Sequence, residues 1–110
     1  MAIFEDFQRL DIRVGTVVGA EPFPEARKPS LRLLIDFGPE IGVKRSSAQI
    51  TVHYAPRQLV GRQVIAVINF PERRVAGFAS QVLVLGAMPQ PYEVVLLTLD
   101  QPVPNGTVIG

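Results

Sequence analysis

Two segments of this 110-residue chain alternate apolar and other side chains with a period of two, and this pattern constrains the fold most. Residues 12–20 read IRVGTVVGA, and residues 31–37 read LRLLIDF. A period of two places alternate side chains on opposite faces of an extended chain, as in a strand with one buried face. The sequence therefore predicts a mainly β protein in which these segments are strands 1 and 2.

Three further strands and a short helix are predicted downstream. VKRSSA (residues 43–48) is a more polar third strand, and RQVIAVINF (residues 62–70) is a fourth strand with the apolar character of burial on both faces. QVLVLG (residues 81–86) is the fifth. Between strands 3 and 4, the break before Pro56 and the end at Gly61 indicate one or two short helical turns.

The order strand, strand, strand, helix, strand, strand is that of the OB-fold, a five-stranded Greek-key barrel. A generic all-β sandwich is the competing interpretation, because strands punctuated by glycine occur in both folds. The length suits one core, so we expect a single all-β OB-fold domain over residues 1–110. Residues 1–11, with the apolar spacing of a short helix in FEDFQRL, and residues 92–110, with an apolar strand and a Pro-Asn-Gly turn, are terminal extensions.

Composition argues against catalysis. The chain has no cysteine and His53 is its only histidine, which excludes a thiolate site, a multi-histidine metal site and a cysteine nucleophile. Ser46 and Ser47 lie close to Lys44, but a serine–lysine dyad needs a buried amine. There is no evident carboxylate pair and no phosphate-binding glycine motif, and His53 fits a surface or packing role better than that of a general base. We therefore expect a binding protein, not an enzyme, that uses no cofactor and no metal.

The net charge of +1 conceals a basic middle. Residues 26–74 carry nine bases and three acids, whereas the segments before and after them are acidic. Such a middle permits an anionic partner, although nucleic-acid-binding domains of this size are commonly much more basic overall. No apolar run is long enough to span a bilayer, and the first residues carry acids where a secretory signal carries bases. We expect a cytoplasmic protein that does not insert into membranes.

Residues 70–81, FPERRVAGFASQ, place charged and aromatic residues between two apolar strands. In an OB-fold this segment joins strands 4 and 5 and binds ligands, together with the loop between strands 1 and 2 and the face of strands 2 and 3. We expect either Arg73 or Arg74 to contact the ligand and the other to pair with Glu72 or Asp36. A loop that serves only solubility is the alternative.

Two other features of the predicted site leave alternatives open. Phe78 is either a plug at the end of the barrel or a platform on which a ligand stacks. On strand 3, Lys44 and Ser46 share one face and Arg45 and Ser47 share the other. One of these pairs should face the ligand, and the other should face the interior or a partner.

Four blocks of the sequence resemble the tRNA-binding OB-domain family, which includes appended domains of some methionyl- and tyrosyl-tRNA synthetases. They are LDIRVGTVV, YAPRQLVGRQVIAVINF, RRVAGFAS and PVPNGTVIG, in matching order and spacing. Within that family the chain looks like the stand-alone CsaA-type, export-related chaperones, which read IGxKxSSAQIT and VNFPxRxIAGFxSEVLVLG. Ala48-Gln49 and Val82-Leu83 stand where the tRNA-binding relatives typically have Ser-Gly and Gly-Met, and Gln81 stands where CsaA members usually have an acid.

The resemblance implies a pocket that holds extended segments of unfolded or preprotein chains. The predicted binding residues are Lys44, Ser46, Asn69, Phe70, Arg73, Arg74, Phe78, Ser80 and Gln81. In this interpretation the phenylalanines form apolar walls, the uncharged polar residues bond backbone amides, and the bases attract acidic peptides or a carboxylate.

The resemblance also implies a homodimer joined through the two terminal extensions. Phe4, Phe7 and Leu10, together with residues 94–99, supply more apolar surface than a five-stranded barrel requires. The function this implies is that of a dimeric, ATP-independent chaperone for unfolded proteins or preproteins, with a role in protein export. The alternatives are a structure-specific tRNA-binding module and an assembly factor that meets one folded partner.

Overall fold

The computed structural model describes residues 1–110 and contains two short helices and nine strands. In chain order the elements are α1 (Phe4–Gln8), β1 (Ile12–Pro22), β2 (Leu31–Asp36), β3 (Val43–Ala48), α2 (Pro56–Leu59), β4 (Gln63–Val67), β5 (Arg73–Val75), β6 (Phe78–Ser80), β7 (Leu83–Val84), β8 (Gly86–Gln90) and β9 (Glu93–Leu96). The spatial order β3-β2-β1-β4-β7 forms a nearly closed barrel, with α2 between β3 and β4. This arrangement confirms the predicted all-β OB-fold. Neither helix has the length and apolar character needed to cross a membrane.

The long strand β1 closes the barrel because it changes partners along its length. Its first half, residues 12–16, pairs antiparallel with β4, and residues 16–22 pair antiparallel with β2. The register with β2 shifts between Val17 and Gly19, and such irregularities increase the local twist. At Gly15 the backbone of β1 passes close to the core, since a Cβ there would be 2.6 Å from Ile35 Cγ2.

The main core is built around the alternating apolar residues of β2, with further members from β1, β3, β4, α2, β9 and the segments that connect them. Its buried members are Val17, Leu31, Leu33, Ile35, Phe37, Ala48, Ile50, Leu59, Val64, Ala66, Val82 and Leu96. Leu59 is fully buried, so the predicted helical turn contributes to the core through one side chain. The period of two identifies the buried face of β2 correctly. In β1 it was wrong beyond Val14, because the strand is irregular there and Val17 is 1% exposed whereas Val18 is 49% exposed.

Two segments differ from the predicted elements. The connection 70–81 is not an open loop, because β5 and β6 form a hairpin whose turn residues Ala76 and Gly77 both have positive φ. The predicted fifth strand over residues 81–86 is reduced to the two residues of β7, since its first residues contact β3 and its last begins β8. Strand β8, GAMPQ, was missed because its glycine and proline are typical of turns.

The C-terminal tail, residues 103–110, covers the second edge of the first half of β1. Val14 N–H donates to the Thr107 carbonyl (3.0 Å), and the Val14 carbonyl accepts from Gly106 N–H (2.7 Å). Ile109 N–H likewise donates to the Ile12 carbonyl (2.9 Å). The tail thus removes a free edge, which would otherwise be open to pairing with other chains.

Side chains fix the start of the same tail. The side-chain amide of Gln63 donates from Nε2 to the Val103 carbonyl at 2.7 Å and accepts at Oε1 from Val103 N–H at 3.2 Å. Asn105 Oδ1 accepts from Thr16 Oγ1 at 2.7 Å. Gly106 has φ +90°, and a Cβ there would lie 2.6 Å from the Phe37 carbonyl oxygen, so the Pro-Asn-Gly turn requires glycine at this position.

Candidate binding site

The barrel closes between β3 and the segment leading into β7 through one backbone bond and several side-chain bonds in place of a regular ladder. Gln81 N–H donates to the Arg45 carbonyl at 2.8 Å, and Gln81 Oε1 accepts from Arg45 N–H at 3.0 Å. The hydroxyl of Ser46 donates to the Val82 carbonyl at 3.0 Å. One glutamine therefore satisfies both backbone groups of Arg45. A glutamate at this position would present the same acceptor.

Ser80 makes the remaining contact, since its hydroxyl accepts from Ser47 N–H at 3.0 Å. We call this line of contact, residues 45–47 against residues 80–82, the seam. Ser46 and Ser80 are 1% and 7% exposed. The expectation that they bond a ligand is not supported, because their hydroxyls are buried and already paired within the barrel.

A basic groove of about 650 Å³ lies beside the seam, between β5 and the loop that joins β1 to β2. Its lining residues are Ala26, Arg27, Lys28, Ser30, Ser47, Gln49, Arg73, Arg74, Val75 and Ala76. Four of them are bases and none is an acid, and no ion pair in the molecule involves these bases. The groove therefore presents positive charge that can attract an anionic group.

The two arginines of β5 have no acidic partner. The expected ion pair of one of them with Glu72 or Asp36 is absent, and that prediction was wrong. Arg74 Nη1 instead donates to the Gly77 carbonyl at 2.9 Å, across the turn of the hairpin. Arg73 is exposed and makes no side-chain hydrogen bond, which leaves its guanidinium available to a ligand.

An apolar groove of about 330 Å³ lies between the end of β3 and the strands β7–β9. Its lining residues are Ser47, Ala48, Gln49, Ile50, Arg73, Leu83, Val84, Leu85, Gly86, Met88, Tyr92 and Val94, eight of them hydrophobic. A smaller cavity of about 180 Å³ is walled by Phe70, Pro71 and the seam. Ser47 and Arg73 line all three cavities, so the cavities open onto one surface.

The β1–β2 loop and the β8–β9 hairpin meet at one end of this surface. Lys28 Nζ lies 4.8 Å from the centroid of the Tyr92 ring and 3.4 Å from its hydroxyl oxygen. Tyr92 has φ +69° at the tip of its hairpin. A cation over an aromatic face is an attractive contact, so this pair connects the basic groove to the apolar groove.

Phe78 packs beneath the β5–β6 hairpin. Its ring meets that of Phe23 edge to face, with centroids 5.5 Å apart, and the guanidinium carbons of Arg32 and Arg45 lie 6.0 and 5.8 Å from it. Arg32 also lies 5.0 Å from the Phe23 ring and 2.9 Å from Glu21 Oε1. These contacts favour the plug over the open stacking platform.

Three predicted residues lie at the margins of the site. Asn69 Oδ1 accepts from Asp11 N–H at 2.9 Å, and its Nδ2 donates to the Arg9 carbonyl at 2.8 Å, so it holds the N-terminal extension. Lys44 lines none of the three cavities. Phe70 is 45% exposed and lines the smallest cavity, which makes it the predicted aromatic residue best placed to contact a ligand.

The sequence prediction missed much of this surface, including Arg27, Lys28, Gln49 and Met88. The first two lie in the proline-rich loop between β1 and β2, which the OB-fold assignment already marks as a binding loop. Their basic character was a signal that could have found them. Gln49 and Met88 become neighbours of Arg73 only through the packing of the barrel.

An OB barrel whose connecting segments form one open surface, part basic and part apolar, defines an OB-fold binding domain. The family can then be stated from comparison with known proteins. A family model described as a putative tRNA binding domain matches residues 12–108. The chain belongs to this family.

Two solved structures of chaperones are similar to this chain over its whole length. The chaperone CsaA of Bacillus anthracis str. Ames is 59% identical with a TM-score of 0.95, covering 100% of this chain and 99% of that one. The CsaA chaperone protein of Picrophilus torridus is 46% identical with a TM-score of 0.92, covering 100% of both chains. The predicted resemblance to CsaA-type members of the family is confirmed.

Curated relatives include methionine–tRNA ligases. That of Porphyromonas gingivalis is 46% identical over 84 residues, which are 76% of this chain and 12% of the ligase. That of Chlorobium chlorochromatii is 42% identical over 82 residues, which are 74% of this chain and 11% of the ligase. The chain therefore spans only about an eighth of the length of these ligases, and the description of the shared family names binding and no reaction.

Proposed function

We propose that this chain is an ATP-independent chaperone of the CsaA type, which binds extended segments of unfolded or preprotein chains. The observation that carries the proposal is the likeness to two CsaA chaperones over the whole chain, at 59% and 46% identity. The setting we propose is protein export from a cytoplasmic location.

The surface around Ser47 and Arg73 supports this proposal. It offers four bases on one side and a groove with eight hydrophobic lining residues on the other. An unfolded chain exposes apolar side chains together with charged and backbone polar groups, and a surface of mixed character can hold both. A groove for a phosphate backbone alone would not need the apolar side.

Suppression of the aggregation of a heat-unfolded client, without ATP, tests the proposal. We expect the wild type to suppress aggregation and Arg73→Glu to be several-fold less effective, because the reversed charge lies where all three cavities meet. Arg57→Glu makes the same charge change at an exposed position of α2 and is the matched control. No protection by the wild type would refute the chaperone role, whereas equal protection by Arg73→Glu would remove only this surface.

We further propose that the protein acts as a homodimer joined through its terminal extensions. Helix α1 buries none of its residues, and Phe4 and Phe7 are 68% and 41% exposed. Val95 and Leu97 of the C-terminal extension are exposed as well, and such apolar patches are common at interfaces. Light scattering should give twice the chain mass. Phe4→Ser with Phe7→Ser should give monomers, whereas Val52→Ser, at another exposed apolar position, should leave the dimer intact.

A structure-specific tRNA-binding module is the second candidate function. The family model and the four bases of the basic groove favour it. If these bases neutralise four phosphates, the affinity for bulk tRNA should fall about a hundredfold between about 50 and 200 mM salt. Filter binding measures this dependence, and retention that is absent or independent of salt would reject the candidate.

A further inference from the structure

Where the seam ends, β3 has an edge at which the backbone groups of Gln49 have no partner, although Ser47 N–H is still bonded to Ser80. Arg45 and Ser47 direct their amides away from β2 and across the seam. Because backbone groups alternate between the two edges of a strand, the Ser47 carbonyl lies on that same edge. Gln49 follows two residues later, and its N–H and C=O make no hydrogen bond within the molecule. This edge, residues 47–49, is open and is solvent-accessible at Gln49.

On the opposite side of the seam, β7 turns backbone groups away from its ladder partner β4. Val84 lies opposite Ala66 of β4. The next pair along the ladder is the hydrogen-bonded one, since Leu85 N–H donates to the Ile65 carbonyl at 2.9 Å. By alternation, the N–H and C=O of Val84 point away from β4 and toward β3. Past the side-chain bonds, backbone groups of β3 and β7 therefore face the apolar groove, and no regular ladder joins the two strands there.

The open edge of β3 also separates the two larger grooves. Ser47 and Gln49 line both the basic groove and the apolar groove. Arg74 lines only the basic groove of these two, Leu83 and Met88 line only the apolar groove, and Arg73 lies where the two grooves meet. A ligand that follows the edge therefore meets opposite chemistry on its two sides.

We infer that the ligand is an extended polypeptide that adds as a strand to the edge at residues 47–49, with acidic and apolar side chains in alternation. Successive side chains of a strand point to opposite faces. A strand bonded to this edge therefore sends one set of side chains toward the bases and the other into the apolar groove. Main-chain hydrogen bonds supply affinity for many sequences, and the alternation supplies the preference. The inference rests on the proposed function and names the class of segment that the chaperone selects.

A fluorescein-labelled eight-residue peptide of alternating glutamate and valine is the probe, measured by fluorescence anisotropy. We expect it to bind at least about tenfold more tightly than a lysine–valine peptide of the same alternation. A peptide of the same glutamates and valines in two blocks is the control for pattern and should bind several-fold more weakly. Equal binding of the alternating and block peptides would overturn the alternation.

Methylation of the peptide backbone tests strand addition without altering the protein. One probe carries N-methyl groups on its glutamates and the other on its valines, and alternate amides of a strand face opposite edges. We expect at least one of the two to lose about tenfold or more in affinity. Unchanged binding of both would overturn recognition through the main chain.

On the protein side, Gln49→Pro removes the free N–H, and Gln49→Ala keeps it. We expect the proline variant to lose peptide binding and the alanine variant to lose much less, because alanine keeps the N–H and removes only a side chain that lines the grooves. Circular dichroism checks that both variants fold. If the proline variant does not fold, the methylated peptides alone test whether the ligand is recognised through its main chain. Equal binding by folded Gln49→Pro would overturn the role of this edge.

The same samples separate this inference from the function it rests on. If the wild type suppresses client aggregation but does not bind the glutamate–valine peptide, the inference fails and the chaperone proposal stands. If it does neither, both fail. Displacement of the bound peptide by excess unlabelled peptide but not by a single-stranded oligouridylate supports a polypeptide site. Binding of the oligouridylate without any binding of the peptide would overturn it.

Discussion

The C-terminal tail and the β5–β6 hairpin are both short extended segments attached to one barrel, yet they use their polar groups in opposite ways. The tail, residues 103–110, carries no charge and directs its backbone groups into β1. The hairpin, residues 73–80, bonds mainly within itself and presents two arginines without acidic partners. Segments of equal length thus bond into the barrel in one case and leave charged groups facing solvent in the other.

The difference lies in where each polar group finds its partner. A buried group that is bonded inside the molecule costs stability when the bond is lost. A group that faces solvent costs little when removed, unless a ligand uses it. We therefore expect substitutions in the tail to change the free energy of unfolding, and substitutions in the hairpin to change binding. The predictions below test this division.

The largest effect is expected for Gly106→Ala in the tail. The new Cβ would lie 2.6 Å from the Phe37 carbonyl oxygen, at φ +90°, so we expect the free energy of unfolding to fall by about 3 kcal/mol. Gly42→Ala is the matched control, because Gly42 has φ +85° but nothing within 4 Å of the built Cβ. It should lose only about 1 kcal/mol. Urea denaturation measures both, and equal losses would contradict a close fit of the tail.

Asn105→Ala should have the next largest effect. It removes the acceptor for the Thr16 hydroxyl, and we expect a loss of about 1–2 kcal/mol. Client binding by the folded variant should match that of the wild type, since Asn105 lines neither the basic nor the apolar groove. A loss of binding without a loss of stability would reverse the assignment of the tail.

Arg73→Ala with Arg74→Ala should affect the hairpin in the opposite way. The stability should change by less than about 0.5 kcal/mol, because both side chains are exposed. Binding of an acidic client segment should weaken about tenfold, and more at low salt than at high salt. Titration at two salt concentrations, with urea denaturation of the same samples, checks both parts. A large loss of stability with unchanged binding would show that the hairpin, like the tail, stabilises the barrel.

The sequence predicts the barrel well because its signals are local. The alternation in residues 12–20 and 31–37 identifies both strands and the buried face of β2, and the break at Pro56 locates α2. It does not give the buried face of β1, where the register shift buries Val17 and exposes Val18. The hairpin was missed because positive φ at Ala76 is not typical of alanine, so RRVAGFAS does not read as a tight turn. Local patterns find elements whose side chains obey local preferences, and they fail where tertiary contacts override them.

The site was predicted less well for a related reason. Arg73 stands out because a charge between two apolar strands is visible in the sequence. Ser46 and Ser80 look equally suited to a ligand, but their partners lie across the seam, 36 and 33 positions away along the chain. A polar residue on a strand needs a hydrogen-bond partner, but the sequence does not show whether that partner is a ligand or another part of the protein. Gln49 was missed for the opposite reason, because no pattern in the sequence shows that its backbone groups lack partners.

The smallest effect is expected for Gln81→Glu, which belongs to the seam and so tests the boundary between the two regions. The Oε1 acceptor for Arg45 N–H is kept, so the free energy of unfolding should change by less than about 0.5 kcal/mol. Gln81→Leu removes the acceptor, and we expect it to lose about 1 kcal/mol. If Gln81 served the ligand instead, both variants would keep their stability in urea and lose binding. Because the hairpin is joined to β3 through this residue and its neighbour Ser80, the stability of the barrel extends as far as the seam, and free groups for a ligand begin beyond it.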